Sequence, residues 1–128
     1  MNKNELDHFS NDIEFGLHGF RHENFGTTPI HELQQLMEES ISLLKEKKIN
    51  FTPILAYPYG ARPKNNREKL KMKFMLARNG IKAAFRIGNN ITSFPSRDSY
   101  EICRIHVANN DSLSDFKIKL KKGRLKPF

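Results

Sequence analysis

The first clear pattern in the sequence is a short alternation of apolar and polar residues, which is followed by apolar residues at helical spacing. In "DIEFGL", Ile13, Phe15 and Leu17 occupy every second position, which predicts a strand. From residue 30 the apolar residues recur every three or four positions, at Ile30, Leu33, Met37, Ile41 and Leu44. This spacing predicts an amphipathic helix, with Thr28 as its N-cap and Pro29 as its first residue.

The rest of the chain repeats this order of strands and helices. Further strands are predicted at 49–57, 81–85 and 100–107, helices at 66–79 and 112–123, and a frayed tail at 121–128. Ser112 and Asp115 form an approximate capping box, and Gly80 suits a helix C-terminus. Pro53 cannot donate a ladder hydrogen bond, which suggests a bulge or an edge strand. The alternation indicates one α/β domain over 1–128, with a mainly parallel sheet and functional sites at the C-terminal ends of its strands.

Composition and charge limit the classes of function. The 128 residues include 22 Lys and Arg against 14 Asp and Glu, and the net charge of +8 attracts anionic partners without saying which. The single Cys103 excludes an internal disulfide and a Cys-rich metal site, so a metal would need His and carboxylate ligands. The sequence has no apolar run of the ~20 residues that a membrane span needs and no signal peptide at its start, which leaves the compartment unknown.

The predicted first strand leads into two histidines, His18 and His22, which are four residues apart. Two imidazoles on one tight loop or helical turn can converge on a divalent ion and supply half of a tetrahedral site. A chance pair of surface histidines fits the same spacing. The zinc-protease helix motif does not apply, because Gly19 stands where that motif has its glutamate base.

Longer stretches around these histidines carry a family resemblance. "EFGLHGFRHENF" resembles the second motif of the polysaccharide deacetylase family, the NodB-like carbohydrate esterases, in which Glu-x-Gly runs into His-x-x-x-His. "ILAYPYGARP" resembles the third motif in its Tyr-Pro-Tyr-Gly form, and "NGIKAAFRIGNN" and "YEICRIHV" are similar to later segments. The resemblance spans about Leu6 to Leu120. It implies a partial, truncated deacetylase-type β/α barrel with parallel strands, the C-terminal portion of the family domain.

The resemblance implies a metal site and a substrate groove. His18 and His22 would bind zinc or another divalent metal, which would polarise an acetyl carbonyl and lower the pKa of bound water. The backbone N–H of Tyr59 would help to bind the oxyanion. The partner would be an acetylated polysaccharide or oligosaccharide. The residues implied to bind it are Tyr57, Pro58, Tyr59 and Gly60.

Two residues of a later strand are implied to take part in catalysis. His106 would correspond to the histidine that protonates the leaving amine, although Arg104 stands where the family pattern Leu-x-His has Leu. Arg104 would supply the positive charge that orients the base, because Ala56 stands where many members have Arg. A solvated histidine and arginine without such roles fit the sequence equally well.

The family's first motif, a strand ending in Asp-Asp, has no counterpart in this chain. That motif supplies the third metal ligand and the general base, and Asp12 does not replace it because it precedes the strand that ends at His18. We therefore expect weakly held zinc and little or no turnover by this chain alone. The strand neighbouring residues 13–17 would also be missing, and the open sheet edge predicts homo-oligomers.

Two other functions stay open. A basic nucleic-acid-binding module would explain the charge, but the lysines of 69–73 and 117–122 form no compact motif with interleaved aromatic residues. Specific nucleic-acid recognition is therefore not expected. A non-catalytic carbohydrate-binding remnant would keep the groove around Tyr57 and Tyr59 without performing chemistry.

The sequence also predicts specific geometry. His18 and His22 should approach each other at the end of the first strand, on the same side of the sheet as the loop at 57–60. Phe85 and Ile105, each within a predicted strand, should both be buried.

Overall fold

A computed structural model describes residues 13–88 and 90–125 of the chain. The described residues form an α/β fold with three helices and a small, open, parallel three-stranded sheet. In chain order the elements are α1 (Ile30–Glu46), β1 (Ile54–Ala56), a 3₁₀ turn (Pro58–Gly60), α2 (Asn66–Arg78), β2 (Ala83–Ile87), β3 (Ile102–Arg104) and α3 (Leu113–Lys122).

The sheet keeps the order of the sequence. β1 pairs with β2 through Leu55 and Ala84, and β2 pairs with β3 through Phe85 and Ile102. Both pairs are parallel, so the C-terminal ends of the strands meet at one edge of the sheet. The predicted α/β class with parallel strands is confirmed in this form.

The predicted first strand lies alongside β1, although only one of its residues forms a regular bridge. Leu17 pairs in parallel with Leu55. Its N–H donates to Ile54 O at 2.9 Å, and its carbonyl accepts from Ala56 N at 2.9 Å. Phe15 O accepts from Thr52 N at 2.7 Å. These bonds fix where the next residue, His18, leaves the sheet.

β1 and β3 are shorter than the apolar runs that predicted them, and β2 has the predicted length but begins two residues later. β1 begins directly after Pro53, which has no N–H to donate to a neighbouring strand. β2 begins only at Ala83, because Ile81 still belongs to the turn after α2. The N–H of Ile81 donates to Leu76 O at the end of that helix, and the side chain of Ile81 is buried. The tail is also shorter than predicted, because α3 includes Lys121 and Lys122; residues 126–128 lie outside the described residues.

The core lies between one face of the sheet and the first two helices. Leu17, Leu55 and Ala84 come from the sheet side, and the buried helix residues are Leu33, Met37, Met72, Met75 and Leu76. The prediction that Phe85 and Ile105 are buried is wrong, since both are half-exposed. Phe85 follows Ala84 and therefore points to the other face of the sheet. Ile105 lies beyond the end of β3.

The helix ends largely follow local sequence signals. Ser112 and Asp115 form the predicted capping box of α3, and Gly123 ends that helix in the left-handed region at φ 75°. The start of α1 differs from the prediction, because Pro29 rather than Thr28 occupies the N-cap position and no side chain caps it. Within the described ranges, no helix has both the length and the apolar character needed to cross a membrane.

Candidate functional site

His18 directly follows the residue that ties the first segment to β1. Its Nδ1 lies 2.6 Å from the carbonyl oxygen of Ala56. A carbonyl oxygen only accepts, so the proton of a neutral His18 ring must sit on Nδ1. The lone pair of Nε2 is then available to a ligand, and this hydrogen bond to a backbone carbonyl is the usual support of a metal-binding histidine.

The loop after His18 turns tightly and brings His22 back beside it. Gly19 has φ 77° and His22 has φ 59°, two left-handed residues within four positions. The carboxylate of Glu23 holds the turn by accepting from the N–H groups of Phe20 at 3.1 Å and Arg21 at 2.8 Å. The rings of His18 and His22 meet with centroids 4.8 Å apart at 66°.

Tyr59 completes this group of rings. It lies in the 3₁₀ turn at φ 57°, is 64% exposed, and its ring centroid is 4.5 Å from that of His22. The backbone turn needs Gly60 at φ 63°, because a Cβ there would lie 2.6 Å from the nitrogen of Ile87. The predicted approach of His18 and His22 beside the 57–60 loop is therefore observed.

The other residues of the predicted groove are not at the surface. The side chains of Tyr57 and Pro58 are buried, and so is the backbone of Gly60. Tyr57 packs against Phe25 with ring centroids 5.7 Å apart and donates from its hydroxyl to Tyr100 O at 3.1 Å. Burial raises the pKa of the Tyr57 hydroxyl well above its ordinary range. These residues support the loop, and Tyr59 alone of the four presents a side chain to solvent.

Arg104 and His106 lie at the C-terminal end of β3. Nη2 of Arg104 reaches Tyr57 O at 3.4 Å, while its Nε is buried without a hydrogen-bond partner. His106 is exposed and borders a cavity of about 230 Å³, which is also lined by Ile87, Arg104, Ile105 and Val107. In the described part of the chain, no hydrogen bond or ring contact joins His106 to the two histidines of the loop.

An ion-pair cluster beneath the 57–60 loop was not predicted from the sequence. Arg62 Nε donates to both carboxylate oxygens of Glu101, at 2.9 and 2.7 Å. Arg86 Nε lies 2.8 Å from Glu101 Oε2, but it is not aligned for a hydrogen bond. The three side chains are roughly four-fifths buried. Arg62 and Glu101 are 39 residues apart, so no local pattern could have revealed the pair.

A second, larger cavity of about 640 Å³ lies between helices α1 and α2. It is lined by residues of α1 and α2, including His31, Glu68, Lys71 and Phe74. It contains neither His18, His22 nor Tyr59, and we do not assign it to the candidate site.

Two imidazoles are an incomplete ligand set for zinc, which is bound by three or four protein ligands. Among residues 13–88 and 90–125, no group of three His, Cys, Asp or Glu side chains is placed to hold a metal ion. The nearest carboxylate in sequence, Glu23, is engaged with the loop N–H groups. Asp12 lies outside the described residues. The pair therefore fits part of a metal site.

No family model, curated protein or solved structure matches this chain. The function must therefore be inferred from the residues of the chain and their geometry.

Proposed function

We propose that this chain is part of a polysaccharide deacetylase-like hydrolase, which removes acetyl groups from N-acetylated or O-acetylated glycans with the help of a metal ion. His18 and His22 would hold the metal. The observation that carries the proposal is the hydrogen bond from His18 Nδ1 to Ala56 O, because in the neutral ring it leaves the lone pair of Nε2 available to a ligand beside the ring of His22.

The position of the pair supports this proposal. His18 and His22 lie at the C-terminal edge of parallel strands, where ligand sites of α/β proteins are found. The order of segment 13–17, β1, β2 and β3 in the sheet follows the order in the sequence, as in an arc of a β/α barrel. We propose that the sheet is a partial barrel of this kind.

The metal and the residues of the chain would have separate roles in the reaction. A bound divalent ion supplies Lewis-acid polarisation of the acetyl carbonyl and a water of lowered pKa. The exposed ring of Tyr59, which contacts His22, offers a flat apolar surface for a sugar ring next to that ion. Arg104 places positive charge at the same strand ends, next to Tyr57 O.

The proposal also limits the expected activity. A general base typically contributes ~10²–10⁴-fold to such a reaction. Among the described residues no free carboxylate accompanies the two histidines, so we expect weak zinc binding and acetate release near background. A segment that supplies an acidic pair, in fusion or in trans, should raise zinc affinity and turnover together.

The first experiment measures zinc affinity by calorimetry and acetate release from an acetylated glucosamine oligomer. His18→Ala and His22→Ala should each abolish zinc binding, whereas His31→Ala, an exposed histidine on α1, should leave it unchanged. Equal zinc binding by all four proteins would reject the metal site. Rapid turnover by the chain alone, lost in His18→Ala, would show that another residue acts as the base.

A second candidate function is carbohydrate binding without chemistry, and the 64% exposure of Tyr59 favours it. Oligosaccharide affinity would then fall in Tyr59→Ala and stay unchanged in His18→Ala. If both variants lose affinity equally, the histidines take part in binding and this second candidate is rejected.

A further inference from the structure

Helix α3 presents an apolar stripe to solvent. Leu113, Phe116 and Leu120 are 69%, 37% and 53% exposed. Their spacing of three and four residues puts them on one face of the helix. Leu125, just beyond the helix end, is also exposed. Large apolar side chains grouped in this way are more informative than single exposed ones, because they form a continuous surface.

A different face of α3 carries its covered side chains. Lys119 is buried and forms an ion pair with Asp111, whose side chain is also buried. Asp115 and Ile118, on the same side as Lys119, are half-buried. The apolar stripe therefore lies on a different face of α3 from these covered side chains.

Positive charge flanks the stripe. Lys117, Lys121, Lys122 and Arg124 are all exposed. The acidic side chains nearby are occupied: Asp111 pairs with Lys119, and Asp115 accepts from Ser112 in the capping box. Among the described residues, the exposed surface of α3 thus combines apolar side chains with cations that form no ion pair.

We propose that this face of α3, the surface formed by Leu113, Phe116, Lys117, Leu120 and Lys121, binds an anionic lipid bilayer. A basic amphipathic helix lies in the interface, with its apolar residues among the acyl chains and its lysines at the headgroups. The proposal does not depend on His18 and His22.

Two other occupants fit less well. A second copy of this chain would bring the same lysines into the contact, and like charges would oppose it. A nucleic acid would pair with the lysines but would leave Leu113, Phe116 and Leu120 in water. A bilayer with anionic headgroups accommodates both the apolar stripe and the flanking lysines.

The test is sedimentation of the full chain with vesicles at physiological salt. Vesicles of equal parts phosphatidylcholine and phosphatidylserine should bind the protein, and phosphatidylcholine alone should not. Removing two charges in Lys117→Gln/Lys121→Gln should weaken binding about 25-fold, since each basic residue near an anionic surface contributes about five-fold. Phe116→Ser/Leu120→Ser should weaken binding at least about ten-fold.

Matched control variants distinguish binding by this surface from nonspecific effects of the net charge and of exposed apolar side chains elsewhere. Lys45→Gln/Lys47→Gln removes two exposed lysines at the end of α1, and Leu70→Ser/Phe74→Ser removes two apolar residues of α2 that are 56% and 67% exposed. Both control pairs should bind vesicles like the unchanged protein. If Phe116→Ser/Leu120→Ser does not fold by circular dichroism, the lysine pairs alone decide the outcome.

Three results would overturn the proposal. Equal losses in the controls would show that the net charge of the chain, and not α3, attracts the vesicles. Absent vesicle binding, together with self-association that Phe116→Ser/Leu120→Ser abolishes, would assign the stripe to a second copy. Absent vesicle binding with duplex DNA binding that is weakened in Lys117→Gln/Lys121→Gln would assign the surface to nucleic acid.

Discussion

The imidazole rings of His18 and His22 lie 4.8 Å apart, centroid to centroid, and meet at 66°. No helix brings them together, although their spacing of four would suit one. They meet because the loop between them reverses direction through left-handed backbone at Gly19 and His22, with Glu23 accepting from the N–H groups inside the turn. The pair is therefore held in place by backbone geometry before any ligand binds.

Three glycines share a left-handed backbone but differ in surroundings, which predicts a ranking of alanine variants. Gly80→Ala should cost about 1–2 kcal/mol of unfolding free energy, the backbone cost alone, because its Cβ meets nothing within 4 Å. In Gly19→Ala the Cβ lies 3.1 Å from the Glu23 carboxylate, which adds a smaller penalty. Gly60→Ala should cost a further ~1–3 kcal/mol, because backbone of Ile87 blocks the Cβ. Urea denaturation measures the ranking, and equal losses would contradict it.

The buried hydroxyl of Tyr57 should stabilise the fold, whereas that of Tyr59 should not. Tyr57→Phe leaves Tyr100 O without its donor and should cost about 1–2 kcal/mol, while Tyr59→Phe, at an exposed position, should change the unfolding free energy by less than about 0.5 kcal/mol. Thermal or urea unfolding of both variants tests this. Similar effects of the two substitutions would contradict the burial of Tyr57.

The raised pKa of Tyr57 also predicts an alkaline dependence of stability. The phenol ionises more easily in the unfolded chain, where its pKa is near the ordinary 10.0, than in the folded protein. Its contribution is therefore fully present below pH 10.0 and is lost as the pH rises towards the higher folded value. Unfolding free energies measured from pH 8 upwards should fall more steeply for the unchanged protein than for Tyr57→Phe.

Glu101 should contribute more to the unfolding free energy than a carboxylate in an exposed ion pair. Glu101→Gln removes the negative charge that pairs with both Arg62 and Arg86 and should cost about 1–3 kcal/mol, a value below that of a fully buried pair because these groups are partly exposed to solvent. Glu68→Gln breaks the more exposed pair with Lys71 and should cost under about 0.5 kcal/mol. Denaturant unfolding compares them, and a cost of Glu101→Gln no larger than that of Glu68→Gln would refute the prediction.

Helix α3 should loosen in acid because of Asp111. The hydrogen bond from Lys119, together with that from the N–H of Ala108, holds the pKa of the Asp111 carboxyl below its ordinary 3.8. The stabilisation is thus fully present above pH 3.8 and disappears as the pH falls through the lower folded value. Asp111→Asn should be less stable than the unchanged protein at pH 7, and the difference should shrink in acid. Glu46→Gln, at an exposed position of α1, serves as the control.

The sequence by itself determined the features that depend on residues close together along the chain. The capping box of Ser112 and Asp115, the left-handed Gly80 just after the end of α2 and the α/β order were all predicted correctly, since caps and periodicity act within a turn or two. The bounds of the strands were not predicted correctly, because a strand extends only where a neighbour pairs with it. The run at 49–57 therefore formed a strand at Ile54–Ala56 alone.

Only the tertiary structure decided the character of the candidate site. The tautomer of His18 depends on Ala56, 38 residues away, and the cluster around Glu101 includes Arg62, 39 residues away. Both Tyr57 and Tyr59 were assigned to the substrate groove from the sequence, but of the two only Tyr59 is exposed. Tyr57 continues the buried face of β1, and the left-handed turn at Tyr59 directs the next aromatic ring outwards to His22. Burial and contacts between distant residues arise from how the elements pack, which local sequence patterns do not specify.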